Sequence, residues 1–170
     1  MHFRWVLAFA WLLPLVAARG AQVPAAQPKI ADLQARFDKE TNSGQKEKLF
    51  VKLSDAQFAE AHRAAHEDDF QTVGFQMEKY RDNVRTALEA LRGQHPNAEK
   101  HAGPFRNLEM HVREGLRELE DFLIVAPPEY KPPLELVQGD INKMEDDLLH
   151  LLFPRRPGEK PPAHHPPKKE

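Results

Sequence analysis

The chain has 170 residues, with 24 Lys and Arg against 26 Asp and Glu, 9 histidines and no cysteine. Without thiols, disulfides, thiolate metal sites, cysteine nucleophiles, c-type haem attachment and a lipidated N-terminal cysteine are all excluded. The mixed, nearly balanced charge gives no basis for a dedicated nucleic-acid binder.

Residues 1–20 read as a secretory signal peptide: a short basic start over Met1–Arg4, an apolar run from Trp5 to Val16, then the small residues Ala17, Ala18 and Gly20. The run is shorter than the eighteen or so residues a membrane-spanning helix needs, so the expectation is a cleaved leader and a secreted or periplasmic product. Residues 21–28, AQVPAAQP, read as a flexible lead-in. About 130 residues of periodic sequence follow over 29–153, enough for one domain with its own core.

Within that domain the apolar spacing is helical throughout. Ile30, Leu33 and Phe37 make a short leading helix, which the turn-forming Thr41-Asn42-Ser43-Gly44 should end. Residues 45–66 carry Leu49, Phe50, Leu53 and Phe58, then Ala56, Ala59, Ala61, Ala64 and Ala65, small side chains that permit close helix approach. Ser54-Asp55-Ala56-Gln57 fits a capping box, which leaves open one bent helix or two helices meeting near Leu53. Glu67-Asp68-Asp69 should cap the next helix, whose stripe is Phe70, Val73, Met77, Tyr80, Val84, Ala87 and Leu91, with Gly93 as its stop. A further stripe comprises Phe105, Leu108, Val112, Leu116, Leu119 and Leu123, opened by Gly103-Pro104 and ended by Pro127-Pro128. The last stripe, opened by Pro132-Pro133, is Leu134, Val137, Ile141, Met144, Leu148 and Leu151. No strand alternation appears. The fold class is therefore all-α, an antiparallel bundle of four main helices with a short leading helix.

Residues 154–170, PRRPGEKPPAHHPPKKE, hold five basic residues and six prolines but a single apolar side chain, Ala163. Such a segment cannot bury enough surface to offset the entropy of ordering, so a disordered tail is expected. Its Arg155, Arg156, Lys160, Lys168 and Lys169 contrast with an acidic body and could contact an anionic envelope surface weakly.

The pairing of residues 45–66 with 70–92 resembles one helical hairpin of the tetratricopeptide kind, with Ala61, Phe70, Val73 and Met77 near positions where that family has small or apolar residues. Glu60 and Tyr80 depart from the pattern, the closing proline is missing, and no second copy follows at the family's period. The resemblance implies a partner-binding groove. Leu53-Ser54-Asp55-Ala56-Gln57 is similar to the LTxxQ signature of small periplasmic helical stress chaperones, with serine in place of threonine and no second signature.

Chemistry-bearing motifs are few. His62 and His66 stand four apart on one helical face, where two imidazoles can reach one metal ion, and Glu67, Asp68 and Asp69 could complete a shell. The same spacing occurs on solvated helices, and exposed histidines are the preferred reading. Neither GxSxG, HExxH, Glu-x-x-His nor a glycine-rich phosphate loop occurs. Glu114 and Glu118, beside Arg113 and Arg117, read as ion-pair decoration of a solvated face. The methionines Met77, Met110 and Met144 read as core filler before haem ligands. The expectation is a non-enzymatic interaction or scaffold protein without a cofactor, whose partner is another protein or a second copy of the chain; the alternative is a periplasmic stress or metal-binding protein.

Overall fold

The structure is a computed structural model that describes residues 30–154. The expected leader, the lead-in and the tail beyond Pro154 lie outside the described residues. Five α-helices follow one another: α1 (Ile30–Lys39), α2 (Ser43–His66), α3 (Phe70–Gln94), α4 (Ala102–Val125) and α5 (Lys131–Leu152), with a single 3-10 turn at Pro128–Tyr130 before α5. No strand occurs among the described residues.

The four long helices form two antiparallel hairpins, α2–α3 and α4–α5, laid one on the other, with α1 packed against α2. Between the hairpins α2 runs the same way as α4 and α3 the same way as α5, while α3 also packs against α4. Along α2 and α4, Phe50 meets His111 and His62 meets Phe122. Along α3 and α5, Arg81 reaches Asp140 at 3.6 Å and Arg92 reaches Asp147 at 2.9 Å. The result is a stack of layers.

The helix ends follow from local chemistry. The Asn42 side chain accepts from Gln45 N at 3.0 Å and starts α2, and Asp69 accepts from Thr72 N at 3.0 Å to start α3, as its acidic cluster leads one to expect. The turn between them is a Schellman motif: Asp69 N donates to Ala64 O at 2.9 Å and Asp68 N to Ala65 O at 3.2 Å. Asp68, with φ of 57°, takes the left-handed position that glycine usually fills. Gln94 fastens the α1–α2 loop to the end of α3, accepting from Ser43 N at 3.0 Å and donating to Thr41 O at 2.5 Å. Lys46 is buried, donates to Phe37 O at 2.8 Å and lies over the Phe37 ring, placing a cation where the carbonyls of α1 run out of partners.

Several details differ from the sequence reading. Residues 45–66 belong to one continuous helix that starts earlier, so Ser43 and Gly44 form its first turn instead of ending α1. Ser54 starts nothing: its hydroxyl donates to Val51 O within the helix, and both Ser54 and Gln57 are buried in the core. Gly93 lies inside the last turn of α3, which runs on to Gln94. In α4 the buried place expected of Leu123 goes to Phe122, because the His62 ring covers it at 4.9 Å. In α5 Leu152 is buried and Leu151 only partly so.

The core joins the stripes of all five helices, and all seven stripe residues of α3 are buried. Its tightest point is Tyr80. The ring lies between Phe50 at 5.7 Å and Phe58 at 4.9 Å, and the hydroxyl donates to His111 O of α4 at 2.7 Å. Gly115 makes room for it, since a Cβ there would overlap Tyr80 Oη, Cε1 and Cζ. A bare patch of helix backbone thus receives an aromatic knob from the other hairpin. Burial, reinforced by the Glu114 charge, pushes the Tyr80 hydroxyl pKa far up, so it stays a donor at any physiological pH.

Candidate functional site

Among the openings in the surface of the stack two lie between helices, while others flank the α3–α4 connection and the end of α5. The first lies at the hairpin-turn end, where α2 and α4 run side by side. It is an open cleft of about 280 Å³ lined by His62, Ala65, His66, Asp68, Phe70, Asp121, Phe122 and Val125. Phe70 and Phe122 are core residues that show an edge to the cleft, whereas Val125 is 60% exposed at its mouth. Tyr130, in the turn before α5, approaches Phe70 with ring centroids 6.0 Å apart and belongs to the same end.

The sequence-predicted histidines both line this cleft. His62 Nε2 lies 2.5 Å from Glu118 Oε2, a link between α2 and α4, and the imidazole rests on Phe122. Glu118 therefore holds the nitrogen a metal would take. Of the carboxylates expected to complete a shell, Glu67 pairs with Arg63 at 2.5 Å and Asp69 caps α3, while Asp68 lines the cleft with the two histidines. Among the described residues no three His, Asp or Glu groups are arranged to hold an ion. His66 is exposed at the rim.

The carboxylates of α4 have other partners than the expected arginines. Glu114 lies 3.2 Å from His111 Nδ1, and Arg113 pairs with Glu109 and, at 3.7 Å, with Glu145 of α5. The ion-pair decoration is present, but Glu118 faces α2. Farther along the same α2–α4 seam, Glu47 is only 5% exposed. Burial pushes its carboxyl above the usual range, opposed by the charges of His111 and Lys48 and a hydrogen bond with Asn107. Arg63 holds the Glu60 carboxyl below its usual range through a two-pronged hydrogen bond at 2.9 and 2.6 Å. Hydrogen bonds from Thr72 likewise lower Asp69.

Met77 and Met144 are buried as core filler, but Met110, expected with them, is exposed on α4. At the opposite end, the rings of His95 and His101 stack at 4.7 Å across the α3–α4 connection.

The second opening, a groove of about 250 Å³, lies between α1 and α3, with α2 beneath. Ile30, Ala31 and Phe75 form its apolar walls, with Gln34, Gln57, Gln76 and Lys79 around them. Sequence reading passed over this site, because glutamines on a mixed helical face carry no motif; the only signal was that Gln57 and Gln76 recur beside core positions. Chemically, the first opening offers an imidazole–carboxylate pair beside apolar walls, and the second offers amides beneath apolar walls. Both suit binding. No family model matches this chain, and neither a curated protein nor a solved structure is significantly similar to it.

Proposed function

We propose that this is an exported, non-enzymatic interaction protein of the cell envelope, whose layered hairpins present a cleft to a partner polypeptide or to a second copy of the chain. The observation that carries this reading is the cleft at the hairpin-turn end: aromatic and aliphatic walls from Phe70, Phe122 and Val125, edged by His62, His66, Asp68 and Asp121. An apolar floor with a polar rim is the anatomy of a protein-binding surface. Asp68 adds to it. A non-glycine residue held at positive φ is mildly strained, and such strain gathers at functional positions.

The side-by-side course of α2 with α4 and of α3 with α5 is also how helical-repeat arrays stack their units, which supports the tetratricopeptide-like reading of α2–α3. The basic segment Arg155–Lys169 provides a weak, salt-sensitive contact with anionic envelope surface in this proposal.

The test is paired affinity capture from envelope fractions with the tagged protein and its Val125→Asp variant. The substitution lies at an exposed position, so it should leave the melting temperature unchanged. A bound protein, or self-association, that the variant loses supports the cleft; equal capture by both refutes it.

A further inference from the structure

The turn-end cleft has a charge that its apolar floor alone does not describe. Close by, Glu60 and Glu67 share Arg63, Glu118 takes His62, and Asp69 caps α3. Asp68 and Asp121 line the cleft itself, are exposed, and form no ion pair or side-chain hydrogen bond among the described residues. Arg117, one turn before Asp121 on α4, does not pair with it. Even with His66 protonated the cleft keeps a negative charge, since His62 and Glu118 offset each other and two aspartates stand against one imidazole.

That charge narrows what the occupant is. A wholly apolar segment settling on Val125 and Ala65 would strip water from two carboxylates and give nothing back, and burying an unmatched charge is costly. An acidic segment would be repelled. A lysine or arginine beside an apolar residue meets both demands, because its stem lies along apolar surface while its charged head reaches a carboxylate. Val125 is 60% exposed at the mouth and both aspartates are exposed, so the occupant meets these groups where they stand.

We infer that the turn-end cleft takes a partner polypeptide segment in which an apolar residue is flanked by lysine or arginine. The apolar side chain packs on Val125, Ala65 and the edges of Phe70 and Phe122, and the flanking cation pairs with Asp68 or Asp121. This rests on the cleft being a docking site, and it adds the charge of the segment that the cleft selects.

The experiment is nuclear magnetic resonance titration of the isotope-labelled protein with three peptides: acetyl-Lys-Leu-Lys-amide, acetyl-Gln-Leu-Gln-amide and acetyl-Glu-Leu-Glu-amide. The methyl signals of Val125 and Ala65 should shift saturably with the basic peptide. The neutral peptide should bind roughly two- to thirtyfold more weakly, the range expected for two exposed ion pairs, and the acidic one more weakly still. Added salt should narrow the gap by screening. Asp68→Asn/Asp121→Asn should bind the basic and neutral peptides alike; asparagine tolerates the left-handed backbone at position 68, so the fold is kept. Equal affinity of the wild-type protein for the basic and neutral peptides, with shifts at Val125, would overturn the inference and leave the cleft as a docking site. A preference for the basic peptide that persists in the double variant, or no shift at Val125 with any peptide, would overturn it too, whereas the Val125→Asp capture comparison judges the docking reading by itself. So would shifts at these signals that depend on protein concentration alone, which would assign the cleft to a second copy of the chain.

Discussion

Replacing Gly115 with alanine sets two opposed effects against each other at one position. In an open helix interior, glycine to alanine stabilises by about 1 kcal/mol through helix propensity. At Gly115 the new methyl would fall on Tyr80 Oη, Cε1 and Cζ. The ring has no room to retreat, being fully buried between Phe50 and Phe58. Overpacking of this kind costs about 1 to 3 kcal/mol. Displacing the hydroxyl from His111 O adds about 1 kcal/mol for the lost hydrogen bond. Clash and lost bond outweigh propensity, so Gly115→Ala should destabilise by about 1 to 3 kcal/mol. In a domain of this size each kcal/mol moves the melting temperature by about 4 °C. Gly74→Ala in α3 is the internal control: its Cβ would meet nothing, so it should stabilise by about 0.5 to 1 kcal/mol. Thermal and urea unfolding followed by circular dichroism, with Tyr80→Leu as the second arm of a double-mutant cycle, separate the terms. In the Tyr80→Leu background Gly115→Ala should turn neutral or stabilising. A Gly115→Ala protein melting at or above wild type would refute the knob-and-socket argument.

Glu47 gives a pH-dependent counterpart. Its carboxyl pKa is raised in the folded chain, so its protonated form is the one folding favours; the stability it contributes is complete below its ordinary value of 4.5 and lost as pH rises through the raised one. Glu47→Gln should therefore be more stable than wild type at neutral pH, with the gap closing on acidification; a constant gap across the titration would mean that burial is not the cause. Asp68→Gly should relieve the left-handed backbone of the α2–α3 turn and stabilise by up to about 1 kcal/mol, offset in part by the added freedom of the unfolded chain. A loss of stability, read from urea midpoints, would show that the Asp68 side chain holds the turn.

The helices were legible in the sequence because burial imposes a period, and seven apolar side chains on one stripe of α3 leave little else to choose. Signals that depend on a single local pattern fared worse. Ser54 and Gln57 make a plausible helix start on paper, but Asn42 had already opened α2 and the core takes both side chains inward. The partner of Glu118 was hidden because sequence displays only neighbours three and four residues away, and His62 is 56 positions distant. Gly115 was invisible for a related reason: inside a helical pattern a glycine reads as mere weakness until its neighbour across the layers is known to be Tyr80. The histidine pair was found where sequence placed it, yet of the three carboxylates imagined around it Asp69 went to a cap and Glu67 to an arginine, leaving only Asp68 of them in the cleft. The amides beneath the α1–α3 groove belong to three helices, and no spacing rule links them.

The layered order of the helices also shapes how the chain reaches this state. Each hairpin is one uninterrupted stretch of sequence, so α2 can close on α3, and α4 on α5, through short loops at small entropic cost. Proteins dominated by such near-neighbour pairings fold in microseconds to milliseconds. What remains for the end of the route is the meeting of two half-formed layers, and the Tyr80 ring can enter beside Gly115 only when the layers are already in register. The socket then acts as a vernier on the assembly. A slip of one helical turn between the hairpins would bring Tyr80 against a side chain instead of bare backbone, and so exclude the neighbouring alignment that their repetitive apolar stripes would otherwise tolerate.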